Sequence, residues 1–302
     1  MNNVKKVFSI RDLENLSGIK AHTIRIWEKR YGLLSPERTS TNIRSYNLIS
    51  LQKLLNITLL YNNGHKISKI AKLPEENIPL MVSEIVSKNS VKNHAISAFK
   101  LAMINFDQSL FVSTYNSIMA DRSFREVFKD VFIPFLNELG LLWQTNSIGP
   151  AHEHFITGLI KQKLISNTEN LQNLRAKKDK IFVPFLPENE IHEIGLLYLN
   201  YEIISRGYKS IYLGQSVPLD TLIDVMKYFD NLHFISYFTV APVKEKIESY
   251  VADFSDLIKP FKNNKLWILG YQTRHLETSK LPEYVATFNS IEQLIEKLEL
   301  QS

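Results

Sequence analysis

Apolar residues recur at helical spacing through the first half of the chain, and the second half alternates short apolar runs with amphipathic stretches. The pattern predicts a short helix over 10–16, with Ser9 as its N-cap and Gly18 as its stop. A second helix follows over 20–31. It turns Ile24 and Trp27 inward and leaves His22, Thr23, Arg25, Lys29 and Arg30 outward. Two short helices joined by a tight glycine-containing turn form a helix-turn-helix pattern. The polar, basic stretch 35–46 reads as a hairpin wing, and helices over 48–62 and from 67 complete a small domain. Helical patterns over 78–87, 91–104, 108–119, 125–142 and 151–166, with almost no glycine, imply an antiparallel bundle. Beyond it, strands over 181–186, 210–213, 234–238, 266–269 and 284–288 alternate with helices over 191–205, 219–229, 243–257 and 291–298. That alternation implies a parallel sheet covered on both faces. The expected fold is multidomain: an all-α winged helix-turn-helix at 1–74, a helical bundle at 75–175, and an α/β flavodoxin-like (Rossmann-like) domain at 176–302.

Composition narrows the setting. The chain has 302 residues, 44% hydrophobic and 22% charged, which is ordinary for a globular protein. It has no cysteine, which excludes disulfides, thiolate metal sites and a cysteine nucleophile, and fits a reducing compartment. No N-terminal signal or bilayer-spanning apolar run is visible, so the expectation is a cytoplasmic protein with no membrane partner. The net charge of +5 is unevenly spread. Residues 1–74 hold thirteen Lys and Arg against four acids, a surplus of nine, so the remainder is mildly acidic. A basic first quarter on an acidic body points to an appended nucleic-acid binder.

Candidate chemistry gathers in the last domain. Glu190-Ile191-His192-Glu193-Ile194-Gly195 follows the first strand, where open α/β sheets bind ligands. An acid two residues before a histidine can hold one ring nitrogen and leave the other free for a metal. Gly195 lets something bulky approach the backbone. Gly214, Ser236 and Gly270 fall at or near the ends of the next three strands, on the same edge. In the bundle, Trp143 is followed after nine residues by Glu153-His154. From spacing alone, a core tryptophan and two polar residues near a helix start, where an acid is favoured, are the stronger explanation.

The run Thr23-Ile24-Arg25-Ile26-Trp27-Glu28-Lys29-Arg30-Tyr31-Gly32, with Phe8-Ser9-Ile10 before it, resembles the winged head of MerR-family transcription regulators, in particular their cobalamin-linked branch. That resemblance implies DNA contacts from Arg25, Arg30, Tyr31, Arg38, Arg44 and Tyr46, alongside His22 and Thr23 on the recognition helix. Glu190-x-His192-x-x-Gly195 resembles the lower-ligand motif of cobalamin-binding domains, which implies His192 on cobalt. Trp143-x9-Glu153-His154 resembles the cap of the CarH/LitR/CarA group of photoreceptor regulators. There, by the resemblance, the tryptophan packs against the upper axial group and the Glu and His line the same face. Leu213-Gly214-x-x-x-Pro218 fits the same pattern, and Ser236 matches a serine for the cofactor's buried tail.

Two positions depart from it. Gly270-Tyr271 replaces a usual Gly-Gly pair, which predicts crowding of the nucleotide tail by Tyr271. Gln144 stands where light-sensing members carry a histidine. The resemblance implies a non-enzymatic, cobalamin-controlled repressor, most readily with adenosylcobalamin, acting as a dimer or tetramer on a double-stranded operator. A cofactor-free regulator and a corrinoid methyl-transfer protein are the alternatives.

Overall fold

Ser9 opens the first helix, α1 (Ile10–Ser17), by a reciprocal capping box. Its hydroxyl accepts from the Asp12 amide at 3.2 Å, and the Asp12 carboxylate accepts from the Ser9 amide at 2.7 Å. Gly18 closes the helix at φ 76°, in the left-handed region where glycine is the least strained residue. The same device ends α2 (Ala21–Tyr31) at Gly32. This is the computed structural model of the chain, and it describes residues 7–38, 43–75, 77–79, 81–82, 91–144, 148–172, 178–261 and 263–300. The chain divides into two compact units, Met1–Leu159 and Ile160–Ser302.

In the first unit the expected wing is a two-residue antiparallel pair, β1 (Glu37–Arg38) with β2 (Arg44–Ser45). Its tip, 39–42, lies outside the described residues. Phe8 and Tyr46 exchange backbone hydrogen bonds at 2.7 and 2.9 Å, which clasps the start of the chain to the wing. Asn47 caps α3 (Leu48–Asn62), and α4 (Ile67–Ile70) follows. The expected helix over 78–87 lies largely outside the described residues.

The bundle contains α5 (Val91–Asn105) and α6 (Gln108–Met119). After them α7 (Phe124–Val127) runs through a π turn, Phe128–Phe132, into α8 (Ile133–Gln144). The pattern over 125–142 had implied one regular helix. Pro134 has no amide hydrogen to give, and the wider turn just before it accommodates the lost bond. Phe99, Phe111, Phe128, Phe132 and Phe135 are fully buried and fill the middle of the bundle. Lys100 of α5 donates to the Leu16 carbonyl at the end of α1 and pairs with Glu138 of α8. Helix-turn-helix and bundle are thereby tied within one unit. The long helix α9 (Pro150–Gln172) has proline in its first turn, where no amide donor is needed.

The second unit is a parallel sheet in the order β4-β3-β6-β7-β8, with β5 extending the β4 side of β3. The strands are β3 (Lys178–Pro187), β4 (Tyr208–Ser210), β5 (Gly214–Val217), β6 (Leu232–Tyr237), β7 (Lys265–Leu269) and β8 (Val285–Phe288). The helices α10 (Ile194–Ser205) and α13 (Ile291–Leu300) cover one face. Residues 219–226, which include α11 (Ile223–Met226), cover the other together with α12 (Ile247–Ile258). This is the expected flavodoxin-like order.

The expected strand over 210–213 is interrupted. Pro184 accepts from the Leu213 amide at 2.9 Å but has no amide to return on that side, so the ladder opens between β4 and β5.

His233 of β6 is buried between Phe182 and Trp267, at ring centroid distances of 5.1 and 5.4 Å. Burial pushes its pKa down to about 4; Lys265 and Lys180 add to this, and the Asn231 carbonyl opposes it. A histidine that titrates near 6.5 when unfolded then binds fewer protons in the native state. Its contribution to stability is full above pH 6.5 and is lost progressively as pH falls toward about 4. The loss over that window is about 3 kcal/mol. Denaturant titration across it is expected to give a slope that His233→Gln flattens. An unchanged slope in the variant would reject this assignment.

Candidate functional site

Strand β3 ends at Pro187, and a tight turn with Asn189 at φ 67° carries the chain to Glu190, whose amide donates to the Pro187 carbonyl. Glu190 is fully buried. One carboxylate oxygen accepts from the amides of Ile191 and His192, each at 3.0 Å, and from the His192 ring nitrogen Nδ1 at 2.6 Å. The other accepts from the amides of Thr239, Val240 and Ala241 at 3.2, 2.6 and 2.9 Å. Burial by itself would raise the Glu190 pKa. The amides of Val240, Ala241 and His192, with the His192 ring, overcome it and hold the carboxyl below its usual value.

An ionised carboxylate only accepts, so Nδ1 carries the hydrogen, and in the neutral ring the lone pair is on Nε2. The His192 side chain is 55% exposed. The result is a fixed imidazole at the ligand edge of the sheet, held by its inner nitrogen. Among the described residues no three His, Asp or Glu side chains converge.

The neighbouring loops are bound to this turn. Ser216 donates its amide to the Glu190 carbonyl, the Ser216 hydroxyl accepts from the Asn189 amide, and Gln215 donates to the Ile191 carbonyl. Glu193 accepts from the Tyr212 hydroxyl at 3.0 Å and pairs with Lys161. The amides at 239–241 hold the acid behind His192, Lys161 and Tyr212 hold the neighbouring Glu193, and the sequence reading missed all of them. No local signal connects 190 with 240.

Two of the candidate glycines lie against other parts of the protein. A Cβ on Gly195 would lie 2.7 Å from the Tyr237 ring, so the space it leaves is filled by the protein itself. Gly270, at φ 111°, brings its backbone against Phe238, whose carbonyl oxygen would lie 2.5 Å from an added Cβ. Tyr271 was expected to crowd the tail. It is 59% exposed, with the Arg274 guanidinium 3.3 Å from its ring centroid. Gly214 is buried at φ 83° at the start of β5. Ser236 is fully buried, and its hydroxyl has no hydrogen-bond partner in the protein. Such an orphan is the mark of a place for a ligand's polar group.

In the first unit, Trp143 lies in the last turn of α8, and its side chain is outside those described. Glu153 and His154 form a pair at 2.9 Å in the first turn of α9. His152 beside them is buried, accepts from the Gly149 amide at 3.3 Å and stacks on Phe106. This explains His152 as a helix-start residue.

The outer face of α2 presents His22, Arg25, Lys29 and Arg30, with half-exposed Ile26 among them and Thr23 beside His22. Arg30 lies 5.6 Å from the ring centroid of the partly buried Tyr31. Arg38 is exposed on the wing. Arg44 is partly buried and binds Glu28 at 3.1 Å. Tyr46 is a correction: it is 1% exposed and its hydroxyl donates to Glu28. It joins wing to recognition helix from within the core and has no surface for a phosphate.

Residues 8–76 match the model of the MerR HTH regulatory protein family, and residues 95–165 match that of a B12 binding domain. The chain is 26% identical over 224 residues to the HTH-type transcriptional repressor CarH of Myxococcus xanthus, covering 72% of this chain and 74% of that one. It is 26% identical over 227 residues to the HTH-type transcriptional repressor CarA of the same organism, covering 70% of each. In fold it is similar to the monomethylamine corrinoid protein of Methanosarcina barkeri, with a TM-score of 0.57 at 12% identity, covering 70% of this chain and 99% of that one. No described helix is long and apolar enough to cross a membrane.

Proposed function

We propose that this chain, which combines a MerR-type helix-turn-helix with a B12 binding domain, is a transcriptional repressor whose grip on a DNA operator is set by bound cobalamin, most readily adenosylcobalamin. The observation that carries the reading is the Glu190–His192 pair, with Nδ1 held and Nε2 presented at the ligand edge of a parallel sheet. When bound, a cobalamin would supply a cobalt centre that can carry and release an organic group. His192 would hold the cobalt through Nε2. Glu190 keeps the ring oriented and the imidazole in the right tautomer. Gly214 and the Ser236 hydroxyl serve the tail, and Gly195 and Gly270 shape the walls. Trp143, Glu153 and His154 are the bundle residues that the resemblance gives to the cofactor.

The division of labour follows the three segments 1–74, 75–175 and 176–302. Regulation is a linkage between two equilibria: a ligand shifts DNA affinity only through contacts that differ between two states of the protein. Trp143, Glu153 and His154 carry that difference. The states differ in the assembly of a homo-oligomer, dimer or tetramer, which spaces the basic heads on repeated operator sites. By the family resemblance, the cofactor-loaded dark form represses. Release in light is the extension of the reading that Gln144 tests most directly, because an amide is a weaker cobalt ligand than imidazole. The protein works in the cytoplasm.

The test is an absorbance spectrum after mixing with adenosylcobalamin in the dark, desalting and then illuminating. Retained cofactor with a histidine-ligated spectrum supports the reading, and a further change on illumination supports the light response. No retained cofactor overturns it in favour of a cofactor-free regulator. Methyl transfer to or from the retained cofactor would favour a corrinoid carrier.

A further inference from the structure

Among the described residues three buried side-chain hydroxyls have no hydrogen-bond partner in the protein, those of Thr58, Ser236 and Tyr250. Thr58 lies in the first unit. The other two share one layer of the second. Strand alternation puts Phe234, Ser236 and Phe238 on the sheet face that α12 covers. Phe234 meets Phe254 of α12 edge-on at 5.5 Å, and Phe238 meets Tyr250 of the same helix edge-on at 5.5 Å. Phe234 and Phe238 lie four residues apart along the strand, roughly 13 Å, and Tyr250 and Phe254 four residues apart along the helix, roughly 6 Å, so the two ring pairs bracket Ser236. Ser236, midway between the two phenylalanines, therefore faces α12 between Tyr250 and Phe254.

An unpaired buried hydroxyl is costly, and most buried polar atoms in native proteins have a partner. Two in one otherwise apolar layer, one of them at the serine that the family resemblance gives to the cofactor's tail, have a common explanation. We infer that Tyr250 is a second polar contact for the nucleotide tail of the cofactor, beside Ser236, through a hydroxyl that waits unpaired in the cofactor-free protein. The inference rests on the cobalamin reading and adds a residue that no motif marks. It also explains why a tyrosine, rather than a phenylalanine, packs against Phe238.

The experiment compares the full chain with Tyr250→Phe and Ser236→Ala, in binding to cobalamin and to cobinamide, which has the corrin ring and lacks the nucleotide tail. The wild type is expected to prefer cobalamin. Tyr250→Phe is expected to lose about fivefold in cobalamin affinity, the worth of one hydrogen bond, and nothing in cobinamide affinity. Its melting temperature without cofactor is expected to be equal to the wild type or higher, because no protein partner is lost. Equal losses for both ligands, no loss for cobalamin, or a lower cofactor-free melting temperature would each overturn the inference. A wild type that binds both ligands alike overturns it while leaving the cobalamin reading intact. A wild type that binds neither overturns both.

Discussion

Glu190→Ala is expected to abolish cobalamin retention and also to lower the melting temperature of the protein, whereas His192→Ala is expected to lose the cofactor and leave the melting temperature nearly unchanged. The difference follows from what each side chain holds. Glu190 is fully buried and accepts from five backbone amides besides the His192 ring. Removing it leaves those donors around a cavity. Hydrogen bonds to a charged acceptor contribute about 1.5 to 3 kcal/mol each, and they are not additive, so a net loss of at least about 3 kcal/mol is expected. For a unit of this size that is a drop of about 10 °C. The turns at 187–193 and 239–241 lose their common acceptor, and His192 loses the group that fixes its tautomer.

His192 is itself more than half exposed, and its ring makes one internal bond. Its removal costs little stability. It is expected to lower cobalamin affinity by at least about tenfold, as loss of an oriented ligand does. Thermal melts and equilibrium binding on the two variants separate the effects. A Glu190→Ala protein that melts like the wild type would contradict the hydrogen-bond network. A His192→Ala protein that binds cobalamin as tightly as before would reject His192 as the axial ligand.

The second large effect belongs to the head. The double replacement Arg25→Ala with Arg30→Ala is expected to reduce operator affinity by about one and a half to four orders of magnitude, at about 1 to 3 kcal/mol per contact. If both arginines meet phosphates, the slope of log affinity against log salt falls by about 2, since each neutralised phosphate contributes about 0.9. If one reads a base edge, the slope falls by about 1 and discrimination at one operator position relaxes. Both side chains are exposed on one helix, so the change is expected to leave the melting temperature in place. Tyr46→Phe is the contrast. It removes a buried bond to Glu28, so about 1 to 2 kcal/mol of stability is expected to be lost with the salt slope unchanged. An altered slope in Tyr46→Phe would return that residue to the DNA surface. An unaltered affinity in the double variant would remove α2 from it.

The sequence by itself determined the elements and their order. Helix ends are set by groups within four residues of one another, so Ser9 and Gly18 were legible, and α3 and α6 begin and end where their patterns do. The alternation of apolar runs determined a parallel sheet, because parallel strands need crossovers. The candidate histidine and its acid were legible for the same reason, being two residues apart. Only the tertiary structure decided what lies across space. It supplied the amides of 239–241 to a carboxylate about fifty positions earlier, put Tyr46 in the core, and filled the space beside Gly195 with Tyr237. It also left the Tyr250 hydroxyl unpaired inside a helix layer whose periodicity says only that the residue faces inward. Periodicity and capping are local and repeat along the chain, so they can be read from it. Burial and hydrogen-bond partnership depend on which distant surfaces meet, and that is fixed only when the sheet and its helices pack.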